Sequence, residues 1–300
     1  MIMWILYAFG SALFAGITSI LAKTGIKNTN SHLATALRTV VVLLFAWLMA
    51  FIVSGDRLGE QLLSISGGSL LFLVLSGLTT GASWLCYFRA LQLGEAYKVA
   101  AVDKSSTILT MILAFFFLSE PLSANMLVGM AAMAVGTILM IEHPKTSSDV
   151  RESGSEGKKP GRWILYALFS AVFASLTSIL VKVGIREVES NLGTAIRTVV
   201  VLIFAWLIVI AQGRQREIKT IDKKSWLFLV LSGFATGLSW ILYYRALQEG
   251  PASVVVPIDK LSILATVLFA RAFLKEKLSP RALAGLTLVT AGTLVLLVKF

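Results

Sequence analysis

Two Asp-Lys pairs lie inside otherwise apolar stretches, Asp103–Lys104 in VDKSS and Asp259–Lys260 in IDKLS. Charges in apolar surroundings cost free energy unless they meet a partner or a wet cavity, which makes each pair a candidate for chemistry. A carboxylate that takes up and releases a proton can couple a gradient to other events, and a neighbouring lysine or arginine can hold an anionic group. Arg38 and Arg197, preceded by ATAL and GTAI and followed by long apolar runs, are the next candidates. Trp84 and Tyr87, like Trp240 and Tyr243, stand at i and i+3 on one helical face, with Ser83 and Ser239 beside them. Such a stripe packs against neighbours or lines a cavity. Asp103, Asp259, Lys104, Lys260, Arg38 and Arg197 are therefore candidates for coupling or substrate contact, and the two Ser-Trp-Tyr sets are candidates for a cavity wall.

Every one of these residues comes in duplicate because the chain repeats itself. Trp4 to Leu48 aligns without a gap on Trp163 to Leu207 with 30 of 45 positions identical, and Leu71 to Gly94 aligns on Leu227 to Gly250 with 17 of 24 identical. A unit of this length is a duplicated module rather than a solenoid repeat. The expected organisation is a first module over residues 1–142, a polar linker over 143–161 rich in Ser, Gly and charge, and a second module over 162–300.

Hydrophobic residues make up 57% of the chain and charged residues 14%, against roughly 25% charged in soluble domains. The elements that carry the candidates are therefore membrane helices, each needing about 20 apolar residues. Five such runs are read in each module: residues 3–22, 33–53, 68–92, 98–118 and 123–142, then 162–181, 192–212, 226–248, 252–274 and 279–298. The third and fourth runs of each set meet at the short breaks QLGEAYK and QEGPAS. The first run lacks a basic start and a small-residue cleavage site, so it reads as a retained helix rather than a signal peptide.

An odd number of helices per module decides the expected architecture, an all-α integral membrane protein of ten transmembrane helices in two inverted five-helix repeats. Inverted repeats place a site near the bilayer midplane at the repeat interface. The loops after the first, third, fifth, seventh and ninth helices carry 20 of the 27 Lys and Arg residues; once five pairs recurring in both modules are cancelled, the remainder is 15 against 2. Basic loops stay cytoplasmic. The linker and the GRQREIKTIDKKS loop are then inside, and both termini outside.

Other residues have plainer readings. Lys23, Arg38, Lys182 and Arg197 flank the first loop of each module, where long side chains snorkel to the membrane surface. Arg89 and Arg245 read as surface anchors, and Cys86, opposite Leu242 in the repeat, as a small buried hydrophobe with no disulfide partner. His32 is matched by Asn191, and no ligand set for a metal accompanies it. Small residues such as Gly10, Ser11, Ala15, Ser76, Gly77 and Gly81 let helices approach closely in lipid.

Taken together, the five-helix module, the arginine near the start of the second helix, the third helix ending in YFRALQLG and YYRALQEG, and the fourth closing on LSEPLS and LKEKLS resemble the EamA-type transporters of the drug/metabolite transporter superfamily. The resemblance covers both modules. It implies a secondary carrier without an ATP-binding domain, typically an exporter of small metabolites or drugs, in the cell membrane of a prokaryote. Glu120 and Glu276 match the family's glutamate at the end of the fourth helix, where a structural role is expected. The modules also resemble the separate five-helix members, which pair as antiparallel dimers, so the fused chain is expected to work as a monomer. Ten-helix relatives place both termini in the cytoplasm, whereas the charge count here argues the reverse.

No P-loop, GxGxxG, HExxH or Ser-His-Asp set is present, and no enzymatic activity or cofactor is expected. The net charge of +11 is accounted for by loops facing an anionic leaflet rather than by nucleic acid. A small-molecule carrier is the leading reading, possession of proton coupling resting on the two Asp residues. A flippase for a lipid-linked headgroup and a non-transporting membrane scaffold are the alternatives.

Overall fold

The computed structural model describes residues 3–118, 123–141, 162–184, 188–249, 255 and 258–295. The expected linker at 143–161, the residue Glu120 and both extreme termini lie outside the described residues, as does the side chain of Lys182. Among the described residues the chain is helical with no strand.

In the first repeat the helices are α1 (Met3–Gly25), α2 (Ser31–Ser54), the short α3 (Leu58–Leu63), α4 (Gly67–Leu93), α5 (Ala96–Lys104), α6 (Ser106–Leu118) and α7 (Ala124–Ile141). The second repeat supplies α8 (Arg162–Gly184), α9 (Ser190–Ala211), α10 (Lys223–Glu249), α11 (Ser262–Phe273) and α12 (Pro280–Val295). Polar caps set the starts. The Asn30 carboxamide accepts from the N–H groups of His32 and Leu33, Glu189 accepts from Asn191 and Leu192, and Asp222 accepts from Ser225. Each satisfies helix-terminal donors that lipid could not.

Eight of the described helices are long and apolar enough to cross a membrane, counting α5 with α6 as one span. The ninth and tenth spans read from the sequence are represented by α11 and α12, of 12 and 16 residues.

The fourth span departs from the continuous run that its hydropathy predicts. It breaks at Ser105, where the Ser105 N–H reaches back three residues to the Val102 carbonyl and the Ser105 hydroxyl donates to the same oxygen. The second repeat breaks at the matching place, with the Leu261 N–H donating to the Ile258 carbonyl at 3.0 Å. Both interruptions directly follow an Asp-Lys pair. A broken helix inside a membrane is tolerated where it lines a cavity or is buried in protein.

The packing is that of a membrane bundle. Phe116, Phe117, Leu44 and Phe51 point outward, while Ser11, Ser76, Thr39 and Ser232 are fully buried. Lipid is as apolar as leucine, so small and hydroxylic residues take the contacts between helices. The two repeats interlock: α1 packs most extensively on α10, α8 on α4, and the equivalent helices α2 with α9 and α7 with α12 pack on each other. Contacts recur with the repeats exchanged. Ser11 meets Ser239 as Ser170 meets Ser83, Thr18 meets Thr236 as Thr177 meets Thr80, and Gly25 meets Leu229 as Gly184 meets Leu73. This reciprocity is the signature of a two-fold relation between two similar bodies. Along α7 and α12 the contacts run in opposite directions, with Gly129 beside Gly292 and Met140 beside Gly285, so the equivalent helices are antiparallel. Closeness at the axis depends on glycine: a Cβ on Gly136 would lie 2.6 Å from the Gly285 carbonyl oxygen, and one on Gly285 2.5 Å from that of Gly136.

Candidate functional site

A cavity of about 420 Å³ opens among α1, α4, α8, α9, α10 and the break before α11. Its volume falls within the range of small-molecule sites. The hydroxyls of Ser11, Thr80, Ser178, Thr194, Thr198 and Ser239 line it, with the rings of Trp84, Trp240 and Tyr243 and the charged groups of Arg197, Asp259 and Lys260. Thr194 and Arg197 stand in the first turns of α9, and Ser178 and Tyr243 in the last turns of α8 and α10. The cavity therefore lies toward the end of the bundle where α8 and α10 finish.

The polar groups are held from behind. The Ser11 hydroxyl donates to Asp259 Oδ1 at 2.9 Å, and the Ser239 hydroxyl donates to the Ser11 carbonyl at 3.0 Å, tying α1 and α10 to the broken ninth span. Arg197 Nη2 donates to Thr80 Oγ1 at 2.9 Å across the repeats. Asp259, Asp103 and Lys104 all lie within electrostatic range of the half-buried Lys260 ammonium, so the two Asp-Lys pairs come together. Repeat-equivalent Trp84 and Trp240 meet with ring centroids 6.3 Å apart. That spacing leaves the rings in contact with each other, with no room for a third ring between them.

Of the residues singled out in the sequence, Trp84, Ser239, Trp240, Tyr243, Asp259, Lys260 and Arg197 line the cavity. Ser83, Tyr87, Arg38, Asp103 and Lys104 do not; all five are first-repeat counterparts of cavity-lining residues, and their half-site is closed around Ser83, Tyr87 and Arg38. There the Ser83 hydroxyl donates to the Ser170 carbonyl at 3.0 Å, and the Tyr87 and Ser19 hydroxyls lie 2.8 Å apart. Arg38 is only 2% exposed, which corrects the expectation that it snorkels. Its Nε donates to Ser232 and its Nη2 to Thr236, and its guanidinium lies 4.3 Å from the Phe88 ring centroid and 5.4 Å from that of Trp84. The physical reason is the close approach of α10: Gly233 leaves room for Val41 and the Arg38 backbone, and the hydroxyls of Ser232 directly before it and Thr236 about one turn after it supply acceptors. No carboxylate is among these partners of Arg38.

Lys23 does not snorkel either. Its ammonium donates to the Gly94 carbonyl and to Glu276 Oε1, both at 2.6 Å. Glu276 also accepts from the Ala96 N–H at 2.9 Å and the Tyr97 N–H at 3.4 Å, capping α5 of the first repeat from the second. A left-handed Lys275, with φ of 56°, turns the chain after α11 to present this carboxylate. Arg245 is exposed and pairs with Glu249, whereas Arg89 is half-buried and donates to Gln92. Sequence reasoning missed the threonines of the wall, although TALRT and TAIRT place one three residues before and one directly after each arginine in both repeats. Among the described residues no cluster of His, Cys, Asp and Glu could hold a metal ion.

The EamA-like transporter family matches residues 2–142 and again 161–298. The chain belongs to the EamA-like transporter family. An uncharacterized transporter in the cobO 3′ region of Sinorhizobium sp. is 46% identical over 136 residues, which are 96% of that protein and 45% of this one. That relative is thus one repeat long. The uncharacterized protein MJ1333.1 of Methanocaldococcus jannaschii is 28% identical over 103 residues, 31% of this chain and 75% of the other. A solved crystal structure of a protein superposes with a TM-score of 0.59 at 19% identity, covering 97% of this chain and 94% of its own, a likeness of fold alone. Family membership and the apolar helices make this a multi-pass membrane transporter.

Proposed function

We propose that the chain is a secondary carrier, exporting a small solute by alternating access, with its two repeats inserted in opposite directions as a ten-helix monomer in a prokaryotic inner membrane. The observation that carries the proposal is the unequal state of two equal half-sites. Ser178 lines the cavity and is exposed, while its repeat counterpart Ser19 is buried against Tyr87. Arg197 lines the cavity, while Arg38 is sealed beneath Phe88 and Trp84. If each repeat adopts the other's arrangement, the cavity closes at one end and opens at the other around Asp103 and Asp259. Inverted-repeat carriers move in this way. The two carboxylates are the proposed proton-coupling groups, and the charge bias of the loops supports placing both termini outside.

The test uses single cysteines at Ser19 and Ser178 in a background with Cys86→Leu, treated with a membrane-impermeant maleimide in vesicles of each orientation. Ser178→Cys should label from one side and Ser19→Cys, more slowly, from the other, with conditions that speed one slowing the other. Labelling of both from the same side, or simultaneous free access to both, excludes alternating access.

A further inference from the structure

Resting on the carrier reading above, we infer that the transported solute is a small organic anion, whose charged group is held by Arg197 in the state described and by Arg38 in the exchanged state, with Trp84 and Trp240 as the partition between the two positions. Three observations carry this. Arg38 has hydroxyl acceptors and ring faces around its guanidinium but, among the described residues, no carboxylate paired with it. Hydroxyls satisfy its N–H groups without neutralising its charge, and an arginine kept at membrane depth without a counter-ion is costly. Its repeat counterpart stands in the wall of the open cavity, where the charged lining is Arg197 and Lys260 against the single acid Asp259. The matching set on the closed side has the same composition, Arg38 and Lys104 against Asp103. Among the described residues each of these sets holds one more cation than anion, and a monoanion matches that excess.

The third observation is the position of Trp84. One face of it belongs to the open cavity wall, yet its ring also lies against the buried Arg38 guanidinium and touches Trp240. It is the layer that separates the solute space from the second arginine. Movement of this ring is the smallest change that lets Arg38 take over an anionic group from Arg197. The same rings define the rest of the solute. Trp84, Trp240 and Tyr243 offer flat apolar surface, and a volume of about 420 Å³ corresponds to roughly fourteen liquid waters at about 30 Å³ each. A single carboxylate or phosphate monoester on a flat or apolar body of that size fits both the rings and the planar, bidentate donor geometry of arginine. A cationic solute would meet an excess of like charge.

The experiment uses the full chain in lipid nanodiscs and reads binding from thermal stabilisation, with benzoate and phenyl phosphate as anionic probes, benzamide as the neutral isostere and benzylammonium as the cation. At least one anion should bind about tenfold or more tightly than benzamide, because a charge-assisted hydrogen bond is lost in the amide, and benzylammonium should bind least. Arg197→Gln should bring the anion-to-amide ratio close to one, whereas Arg197→Lys should keep a ratio above one, a pattern that loss of folding cannot produce. In proteoliposomes Arg38→Gln should retain anion binding and lose anion exchange, and Trp84→Ala should uncouple binding from exchange. Equal binding of anion and amide, preference for benzylammonium, or an unchanged ratio in Arg197→Gln overturns the assignment. The cysteine accessibility experiment involves no solute, so it judges the carrier reading independently of this result.

Discussion

Replacing Glu276 by Gln should open the end of the bundle that is closed in this structure. Lys23 and Glu276 are 20% and 8% exposed in their side chains, and the pair joins the end of α1 to the chain after α11 while capping α5. Breaking a buried ion pair costs about 3–5 kcal/mol, mostly because one charge is left unpaired. Lys23 retains the Gly94 carbonyl and some water, and glutamine still accepts from the Ala96 N–H, so about 2 kcal/mol is the reasonable share. If the pair exists only while this end is closed, its loss shifts the ratio of the two states by about thirtyfold, at 1.4 kcal/mol per factor of ten. A population of 99 to 1 would become about 3 to 1.

Labelling of Ser19→Cys reads this shift directly, since Ser19 is buried beside Tyr87 in the closed half. Glu276→Gln should speed its reaction with impermeant maleimide by one to two orders of magnitude and slow that of Ser178→Cys. The double exchange Lys23→Glu with Glu276→Lys should restore part of the original ratio. The reasoning fails if Glu276→Gln lowers thermal stability while leaving both labelling rates unchanged, for the pair would then be a brace present in both states.

Asp103→Asn and Asp259→Asn, each keeping size and polarity, should stop gradient-driven transport while leaving insertion and melting temperature near the parent values; normal transport by the double variant would make both carboxylates structural. Asp222 accepts from the Ser225 hydroxyl and N–H, which holds its carboxyl below the ordinary value of 3.8. A depressed folded value means that this cap contributes stability above about pH 4 and loses it as pH falls through the folded value, so hydrogen exchange in the first turn of α10 should accelerate there, and Asp222→Asn should abolish the pH dependence. A Cβ on Gly16 would lie 2.5 Å from the Ala265 Cβ, yet the repeat counterpart is Ser175. Gly16→Ser should therefore destabilise the present packing of α1 on α11 by about 1–3 kcal/mol and favour the exchanged state, read as faster labelling of Ser19→Cys.

Hydropathy placed most of the helices because lipid imposes a length and an apolarity on any span, and the caps at Asn30 and Asp222 are readable as short polar residues ahead of apolar runs. The break at Ser105 was not legible, because no proline or glycine announces it and hydropathy averages across an interruption one residue long; the break at Leu261 had a signal in Pro257, four residues before it, that the apolar run obscured. The cavity wall was half legible. Charge at membrane depth pointed to Asp259, Lys260 and Arg197, but threonines in TALRT and TAIRT look like ordinary membrane glue until the fold turns them inward. Lys23 with Glu276 could not be read at all, since 253 residues separate partners that meet only through the interlocking of the repeats.

The difference between Arg38 and Arg197 is of another kind, because sequence could not have supplied it even in principle. Both sit in nearly the same local sequence, and each meets a threonine of the other repeat, Thr236 for Arg38 and Thr80 for Arg197. Local chemistry that is the same in both halves cannot bury one arginine and open the other. The inequality belongs to the conformation, and on the carrier reading proposed above it implies a partner state with the roles reversed. The energy gap between the two states arises only where the repeats differ, at positions such as Gly16 and Ser175. With 30 of 45 positions shared in the first aligned stretch, the proposed exchange predicts that swapping residues at the differing positions moves the balance between the states, while swapping the shared ones cannot.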